Sequence, residues 1–521
     1  MSLEQQSVSM RERVKSPPAQ SLVKSYYAPA VQAGIKYQFE PEMLIHFAHT
    51  LMLERQGIVQ RPDIARILKT LLELRQSGPS VLSIDYLQED LYSYIESYII
   101  KTLGPDVGGR MHTARSRNDL HTTSWRLALR KRLLALLDDL GRLRETTLRL
   151  ADEHAETVMP GYTHTQHAQP ISFGYYLLTM ADLLSRDYVR VSNALKHCNC
   201  SPLGAGALST TGFPIDRDFV RDLLGFPQLV EVAYDAVSCR DDAHEAAASI
   251  AVLMTGISRV ATDLQNWNTM EYGMLELADE YSSVSSIMPQ KKNPQALEHV
   301  KGSAAFVTGM LVTALACSKN TSLADVSDGV TALNVPVLEA VDKTSMAVQI
   351  MDGVLQTVSL RPERMLHLAE IGFGTATELA DVIVRESGLS FRKAHNIVGT
   401  VVRETIEAGR TAQTISSADI DRVAETFFGT RLGIAADVIK KALAPMENLR
   451  LRTVTGGPAP DVVREMVSRR RRHLTDDCVV LAGMRNDIAD ATNRLLIQAQ
   501  QLAAEAVETP PSALLTQKTE S

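Results

Sequence analysis

Cysteine is scarce and scattered: Cys198, Cys200, Cys239, Cys317 and Cys478 are the five in 521 residues. An odd, dispersed set argues against a disulfide framework and for reduced thiols in a cytosolic setting. Cys198 and Cys200 form a lone pair with no second Cys/His pair at zinc spacing, so no metal site is expected. Positive charge is not in excess. Lys and Arg total 54 against 61 Asp and Glu, and the net charge of −7 gives no reason to expect nucleic acid or an acidic membrane surface as partner. The one dense basic run, Arg469 to Arg472, reads as a solvated helix face. Residues 1–20 show no basic-then-apolar leader. The longest apolar run, Ala304 to Cys317, is too short for a membrane span and reads as a buried helix. A soluble, cytoplasmic protein is expected. Alternating strand patterns are missing too, and β-branched runs bounded by turns are few.

What is present is helical periodicity, so the expected fold class is all-α. At this length the chain has room for two or three domains. Residues 1–20 and 508–521 read as disordered tails, 21–118 as an N-terminal helical domain, 119–370 as a bundle of long helices and 371–507 as a smaller C-terminal helical domain. The pattern from Asn118 to Thr157 is the clearest: Leu129, Leu133, Leu136, Leu140 and Leu143 step by four and three, a bundle seam. Further long helices are predicted over 171–197, 241–277, 294–319 and 333–358. Several long helices with few turns carry more apolar face than one chain covers, which argues for an oligomer.

Polar chemistry concentrates in a few stretches. Ser282 to Gln295 packs serines, a Lys pair, Pro289 and Asn293-Pro294 between two helical patterns. Pro289 favours a loop, and Asn293 reads as the N-cap of a helix with Pro294 in its first turn. Hydroxyls, ammonium groups and a helix N-terminus together suit an anion and a moving proton. Arg110, Arg115 and Arg117 interleave with Thr113, Ser116 and Asn118, a pattern for bidentate carboxylate capture or merely a charged helix start. His164 and His167 lie between Pro160-Gly161 and Pro170, in a turn between helices where they serve proton transfer or structure. Pro202 to Arg217 carries Gly204 and Gly206 without a preceding strand, a tight turn and not a dinucleotide loop.

The run Ser285-Ser286-Ile287-Met288-Pro289-Gln290-Lys291-Lys292-Asn293-Pro294 resembles the signature loop of the argininosuccinate lyase family within the fumarase/aspartase superfamily. His112 to Asp119 and Gly161 to Pro170 resemble two further regions of that family, in the same order, and the likeness extends from about residue 40 to 465. The resemblance implies an all-α, three-domain fold with a long central bundle. It also implies a homotetramer whose active sites each draw on three subunits, acting on a small molecule with no cofactor, nucleic acid or membrane. The implied reaction eliminates fumarate from an N-substituted aspartate, with Ser285 as catalytic base, His164 as catalytic histidine and Lys291 as supporting cation. Ser116, Arg117, Asn118, Thr163, Ser286, Met288 and Asn293 would bind substrate, and no residue would bind metal.

The chain also departs from the pattern. Val284 replaces a usual Gly, Leu120 a Gln and Tyr92 a His. Leu44 to His49 replaces a stretch with Gly-Ser before Ala-His, and Asn320 to Asn334 lacks a Tyr-Asn-(Lys/Arg)-Asp-Leu-Gln-Glu-Asp-Lys segment. The missing residues hold the amine side in the family, so the amine product is arginine or a different amine, as in ethylenediamine-disuccinate lyases. Adenylosuccinate-type lyase is the nearest enzymatic alternative. A silent crystallin-like paralogue is a third reading, disfavoured because Ser285, His164 and Lys291 are all present.

Overall fold

The computed structural model describes residues 13, 14, 16–327 and 331–506. The predicted tail at 508–521 lies outside these residues, as do 1–12 and 15 of the predicted tail at 1–20. Helices dominate. Three N-terminal helices, α1 (Phe39–Arg55), α2 (Arg61–Ser77) and α3 (Leu91–Leu103), share a core that includes Met43, Phe47, Leu68 and Ile95. The central bundle follows. It comprises α4 (Arg117–Glu153), α5 (Phe173–Cys198), α6 (Asp241–Trp267), α7 (Gln295–Ser318) and α8 (Thr331–Thr357). The Leu129–Leu143 seam is buried along its whole length, as its spacing requires.

The bundle runs up and down. Arg126, near the start of α4, donates to the carbonyl of His197 at the end of α5 at 3.0 Å. The same guanidinium pairs with Asp242 at the start of α6 at 3.6 Å. His244, one turn into α6, meets Ser318 at the end of α7 at 2.9 Å. One end of the bundle therefore holds the start of α4, and the opposite end holds the turns after α4 and α6.

Four expectations need correction here. The segment around Pro160 and Pro170 is a β-hairpin, β1 (Val158–Thr163) paired antiparallel with β2 (Gln166–Ser172). Helix α6 stops at Trp267 instead of near 277, because a turn through Gly273 at φ +60° sends Met274 N–H back to the Trp267 carbonyl. Helix α7 is only partly buried, with Val312 64% and Leu315 50% exposed. The Arg469–Arg472 run is not simply solvated: Arg470 grips Asp182 with two bonds, and Arg471 reaches Asp152 at 3.4 Å.

After α9 (Pro362–Ile371) a separate small core forms between α10 (Ala376–Ser387), α11 (Phe391–Glu407), α12 (Ser417–Phe428) and α13 (Ala436–Ala442). The last helix, α14 (Pro460–Ala503), does not join that core. Val463 to Leu481 add to the bundle core, and Leu495 to Ala503 to the N-terminal one, because its apolar positions face those helices along 44 residues. The residues of the 371–507 span thus belong to several cores: the small one ends at Leu443, and Leu449 packs with Val158 and Ala369.

Among the described residues two helices, α6 and α7, are long and apolar enough to cross a membrane by length and composition; most of the apolar window of α6 is buried in the bundle.

Candidate active site

Ser116 is the N-cap of α4. Its Oγ accepts from Asn118 N–H at 3.3 Å, and Asp119 returns a bond to Ser116 N–H at 3.2 Å, a reciprocal cap. The other Asp119 oxygen accepts the N–H groups of Gly204 and Gly206 at 3.0 and 2.9 Å. The glycine turn after α5 is therefore strapped to the start of α4 by one buried carboxylate, which burial pushes up to about 6. Both glycines have positive φ, so the tight-turn reading holds. The three arginines separate. Arg110 pairs with Asp63 at 3.0 Å, and Arg117 bridges Glu89 and Asp90, each at 3.0 Å. Arg115 is buried over the Tyr92 ring, 5.6 Å from its centroid, and its three nitrogens make no hydrogen bond of good geometry. Asn118 Nδ2 donates to the Ala207 carbonyl at 3.1 Å.

At the opposite end of the bundle, His164 and Thr165 form the two-residue turn of the hairpin, both in the left-handed region at φ 52° and 59°. That turn normally selects Asn-Gly, so a histidine and a β-branched residue here store strain. Thr163, His164 and Thr165 are exposed at the tip. His167 diverges from His164 and packs edge-on against Tyr162, with centroids 5.3 Å apart, and burial lowers its pKa. The two histidines do not share a face. Among the described residues no group of three or more His, Cys, Asp or Glu is placed to hold a metal. Gly372 and Gly374 clamp the hairpin: a Cβ on them would lie 2.1 Å from His167 Nδ1 and 2.1 Å from the Ala168 carbonyl oxygen.

The serine-rich loop projects from the same end. A two-pair ribbon, β3 (Ser283–Val284) with β4 (Lys292–Asn293), closes its base. Ser285 Oγ accepts the N–H groups of Ile287 and Met288 at 3.3 and 3.0 Å, so the serine itself shapes the turn. Ser286, Met288 and Lys291 are exposed, as are Val284 at 86% and Ile287 at 84%. Lys292 anchors the base to Glu276 at 3.2 Å and Asp279 at 2.6 Å, and Arg361 holds Glu276 from the other side at 2.6 Å. Asn293 is not the N-cap of α7. It lies in β4, its Nδ2 donates to Ser283 Oγ at 3.4 Å, and Pro294 takes the cap position without a side-chain bond.

Helix α4 alone, 37 residues at 1.5 Å each, spans about 55 Å. Ser116, Arg117 and Asn118 stand at one end of that length, while Thr163, His164 and Ser285 to Asn293 stand at the other. A single chain brings the hairpin and the serine loop to one end and leaves the arginine-bearing turn at the far end.

A buried polar cluster lies beside Arg115; its members Tyr92 and His46 stand among the departures from the family pattern, and Glu42 was not among the sequence candidates. Glu42 and His46, one turn apart on α1, are both fully buried, and none of their four polar atoms has a hydrogen-bond partner. Burial pushes Glu42 up to about 8 and holds His46 well below the usual imidazole range, with Arg115 adding to the fall in His46. Tyr92 joins them, its hydroxyl bonded to Glu96 at 2.8 Å and to His112 Nδ1 at 2.5 Å. The available signal was Glu42, His46 and His49 spaced four and three apart among the apolar residues Met43 to Leu53.

Residues 48–309 match the model of the Lyase family, and residues 373–449 match that of the argininosuccinate lyase C-terminal region. The argininosuccinate lyase of Methanocaldococcus jannaschii is 41% identical over 439 residues, covering 84% of this chain and 88% of its own. Argininosuccinate lyase 1 of Shouchella clausii is 36% identical and covers 92% and 96%. The crystal structure of EDDS lyase in complex with formate superposes with a TM-score of 0.84 at 32% identity, over 95% of this chain and 98% of its own. A class II fumarase from Schistosoma mansoni, 14% identical, shares the fold with a TM-score of 0.65 over 82% of this chain and 92% of its own. With fold, signature loop and long-range matches in agreement, the chain belongs to the argininosuccinate lyase family of the fumarase/aspartase superfamily.

Proposed function

We propose that this protein is a carbon–nitrogen lyase that eliminates fumarate from an N-substituted L-aspartate, argininosuccinate first among the candidates. Ser285 takes the proton from the carbon beside one carboxylate. The freed electron pair forms the double bond of fumarate as the C–N bond breaks, and the leaving nitrogen takes up a proton. The hard step is the first, because a hydroxyl is a weak acid and therefore holds its proton against acting as base. The observation that carries the reading is the environment of Ser285 Oγ, which already accepts two backbone N–H bonds within six residues of Lys291. Donors and a nearby cation favour the charged oxygen. Ser116, Arg117 and Asn118 hold the succinyl carboxylates, with Thr163, Ser286, Met288 and Asn293 closing around them. His164 orients the substrate or handles the proton at nitrogen.

Since one chain separates these groups by the length of α4, the complete site draws on more than one copy, arranged as a homotetramer with shared sites. Exposure of His164 and Lys291 supports this, because elimination needs a site from which water is excluded. A cytoplasmic location without cofactor, nucleic acid or membrane suits such an enzyme.

A second reading, in which the amine is not arginine, rests on the Glu42–His46–Arg115 cluster. The polar atoms of buried Glu42 and His46 have no hydrogen-bond partner within the chain, and a polar substrate group of different shape would supply one. The test is fumarate absorbance during parallel incubation with argininosuccinate, ethylenediamine-disuccinate and adenylosuccinate, using Ser285→Ala as control. Fumarate from argininosuccinate is expected, with a loss of about 10²–10⁴-fold in the variant. Fumarate from another adduct alone establishes the second reading, and silence on all three, with amines screened in reverse, returns the protein to a non-catalytic role.

A further inference from the structure

Tyr92, in the first turn of α3, is completely buried, and its side chain meets both ends of the turn that leads into α4. Its hydroxyl donates to Glu96 Oε1 at 2.8 Å, one turn along the same helix. The phenol has a single proton, so His112 Nδ1, 2.5 Å away, donates to the same oxygen. Burial lowers the His112 pKa to about 4, so the ring is neutral and carries its one proton on Nδ1. At the other end of the turn Arg115 lies over the Tyr92 ring, its guanidinium carbon 5.6 Å from the centroid. Between the two, His49 of α1 reaches the Thr113 carbonyl at 2.8 Å.

The turn depends on that grip. Ala114 sits at φ 63°, in the left-handed region that a residue with a Cβ enters at a cost, so contacts outside the turn must hold it there. The next residue is Ser116, the cap of α4, and Arg117 follows it, tied to Asp90 just before α3. The path of the turn therefore sets the position of Ser116 to Asn118. We propose that Tyr92 is a positioning residue for the elimination: it holds the Ala114 turn so that Ser116, Arg117 and Asn118 meet the carboxylates of the succinyl group. This rests on the reading of those three residues as the carboxylate anchor. Being buried, Tyr92 acts through His112 and Arg115. It stands where the family pattern has a His, so this grip is not part of the motif that carries the resemblance.

The experiment measures succinate binding by calorimetry on the assembled full-length protein, with thermal unfolding alongside. The proteins compared are wild type, Tyr92→Phe, His112→Ala, their double variant and Arg117→Ala. Phenylalanine fills the same space and removes only the hydroxyl, while His112 is half-buried, so its replacement leaves Tyr92 bonded to Glu96 and the fold intact. Each single change at Tyr92 or His112 should weaken succinate about tenfold, the equivalent of one hydrogen bond. The double variant should lose no more than either single one, because both remove the same bond. A variant that is merely less stable shows fewer binding sites and a lower Tm at unchanged Kd, and that result overturns the proposal. So does a loss in the double variant equal to the product of the single losses. Weakened binding in Arg117→Ala beside a wild-type Kd in Tyr92→Phe and His112→Ala keeps the anchor and rejects only the role of Tyr92. An unchanged Kd in Arg117→Ala, or no saturable binding to wild type, removes the anchor from this turn and the proposal with it.

Discussion

Glu42 shows how burial sets the properties of a single side chain. Its carboxyl is fully enclosed, lacks a hydrogen-bond partner and is pushed up to about 8 from an ordinary value of 4.5. The folded state therefore binds a proton that the unfolded state releases between about 4.5 and 8. In that window stability falls as pH rises, by roughly 1.4 kcal/mol per pH unit for this group. Glu42→Gln keeps the neutral shape and removes the titration. Denaturant unfolding measured from pH 5 to 9 should show a slope shallower by about one proton in Glu42→Gln than in wild type, and equal slopes would place the ionised form in the fold. Gly374 is a packing case. A Cβ there meets the Ala168 carbonyl, which is backbone and yields little. Gly374→Ala should cost about 1–3 kcal/mol, the scale of overpacking, read as a lowered Tm together with a lowered kcat as the hairpin shifts.

At the scale of elements, long helices were legible and short connections were not. The α4 helix follows from the leucine steps, and its observed start at Arg117 lies one residue from the expected one. The hairpin was hidden because Pro160, Gly161 and Pro170 read as punctuation, and its turn uses His164 and Thr165 instead of turn-forming residues. The β3–β4 ribbon has too few residues to show alternation. The serine segment was legible as a loop from Pro289 and its small hydroxyl residues, yet the cap predicted for Asn293 fell to Pro294, since the ribbon takes Asn293 for pairing. Nothing in the local sequence announced that Lys292 would reach back to Glu276 and Asp279. That contact makes a prediction. Exposed pairs contribute about 0–1 kcal/mol to stability, so Lys292→Met should leave Tm nearly unchanged. It should still loosen the ribbon that carries Ser285, lowering kcat several-fold and removing the decline of kcat with added salt. An unchanged kcat and salt profile would show the latch to be idle.

The whole molecule is shaped by the length of α4, about 55 Å, which separates the Ser116–Asn118 turn from the end of the bundle where the Ser285 loop projects in the same chain. If both act on one substrate, they belong to different copies, and α7 offers a surface for the assembly: Val312 and Leu315 are exposed on it, and Gly302 and Gly309 leave open space for close approach. Val312→Asp should weaken assembly and activity together, measured by light scattering and fumarate release. A sharper consequence concerns mixtures. Ser285→Ala removes the proposed base and Arg117→Ala the proposed carboxylate anchor, so on that proposal each variant alone should be inactive. In a mixed oligomer, some sites receive an intact Ser285 loop from one variant and an intact Arg117 turn from the other. Unfolding and refolding the two together should therefore restore part of the wild-type kcat, whereas mixing the folded proteins briefly should restore much less. Recovery that is absent after co-refolding, with oligomers confirmed by scattering, would mean that both residues serve a site within one chain, which the length of α4 forbids unless Arg117 is not an anchor at all.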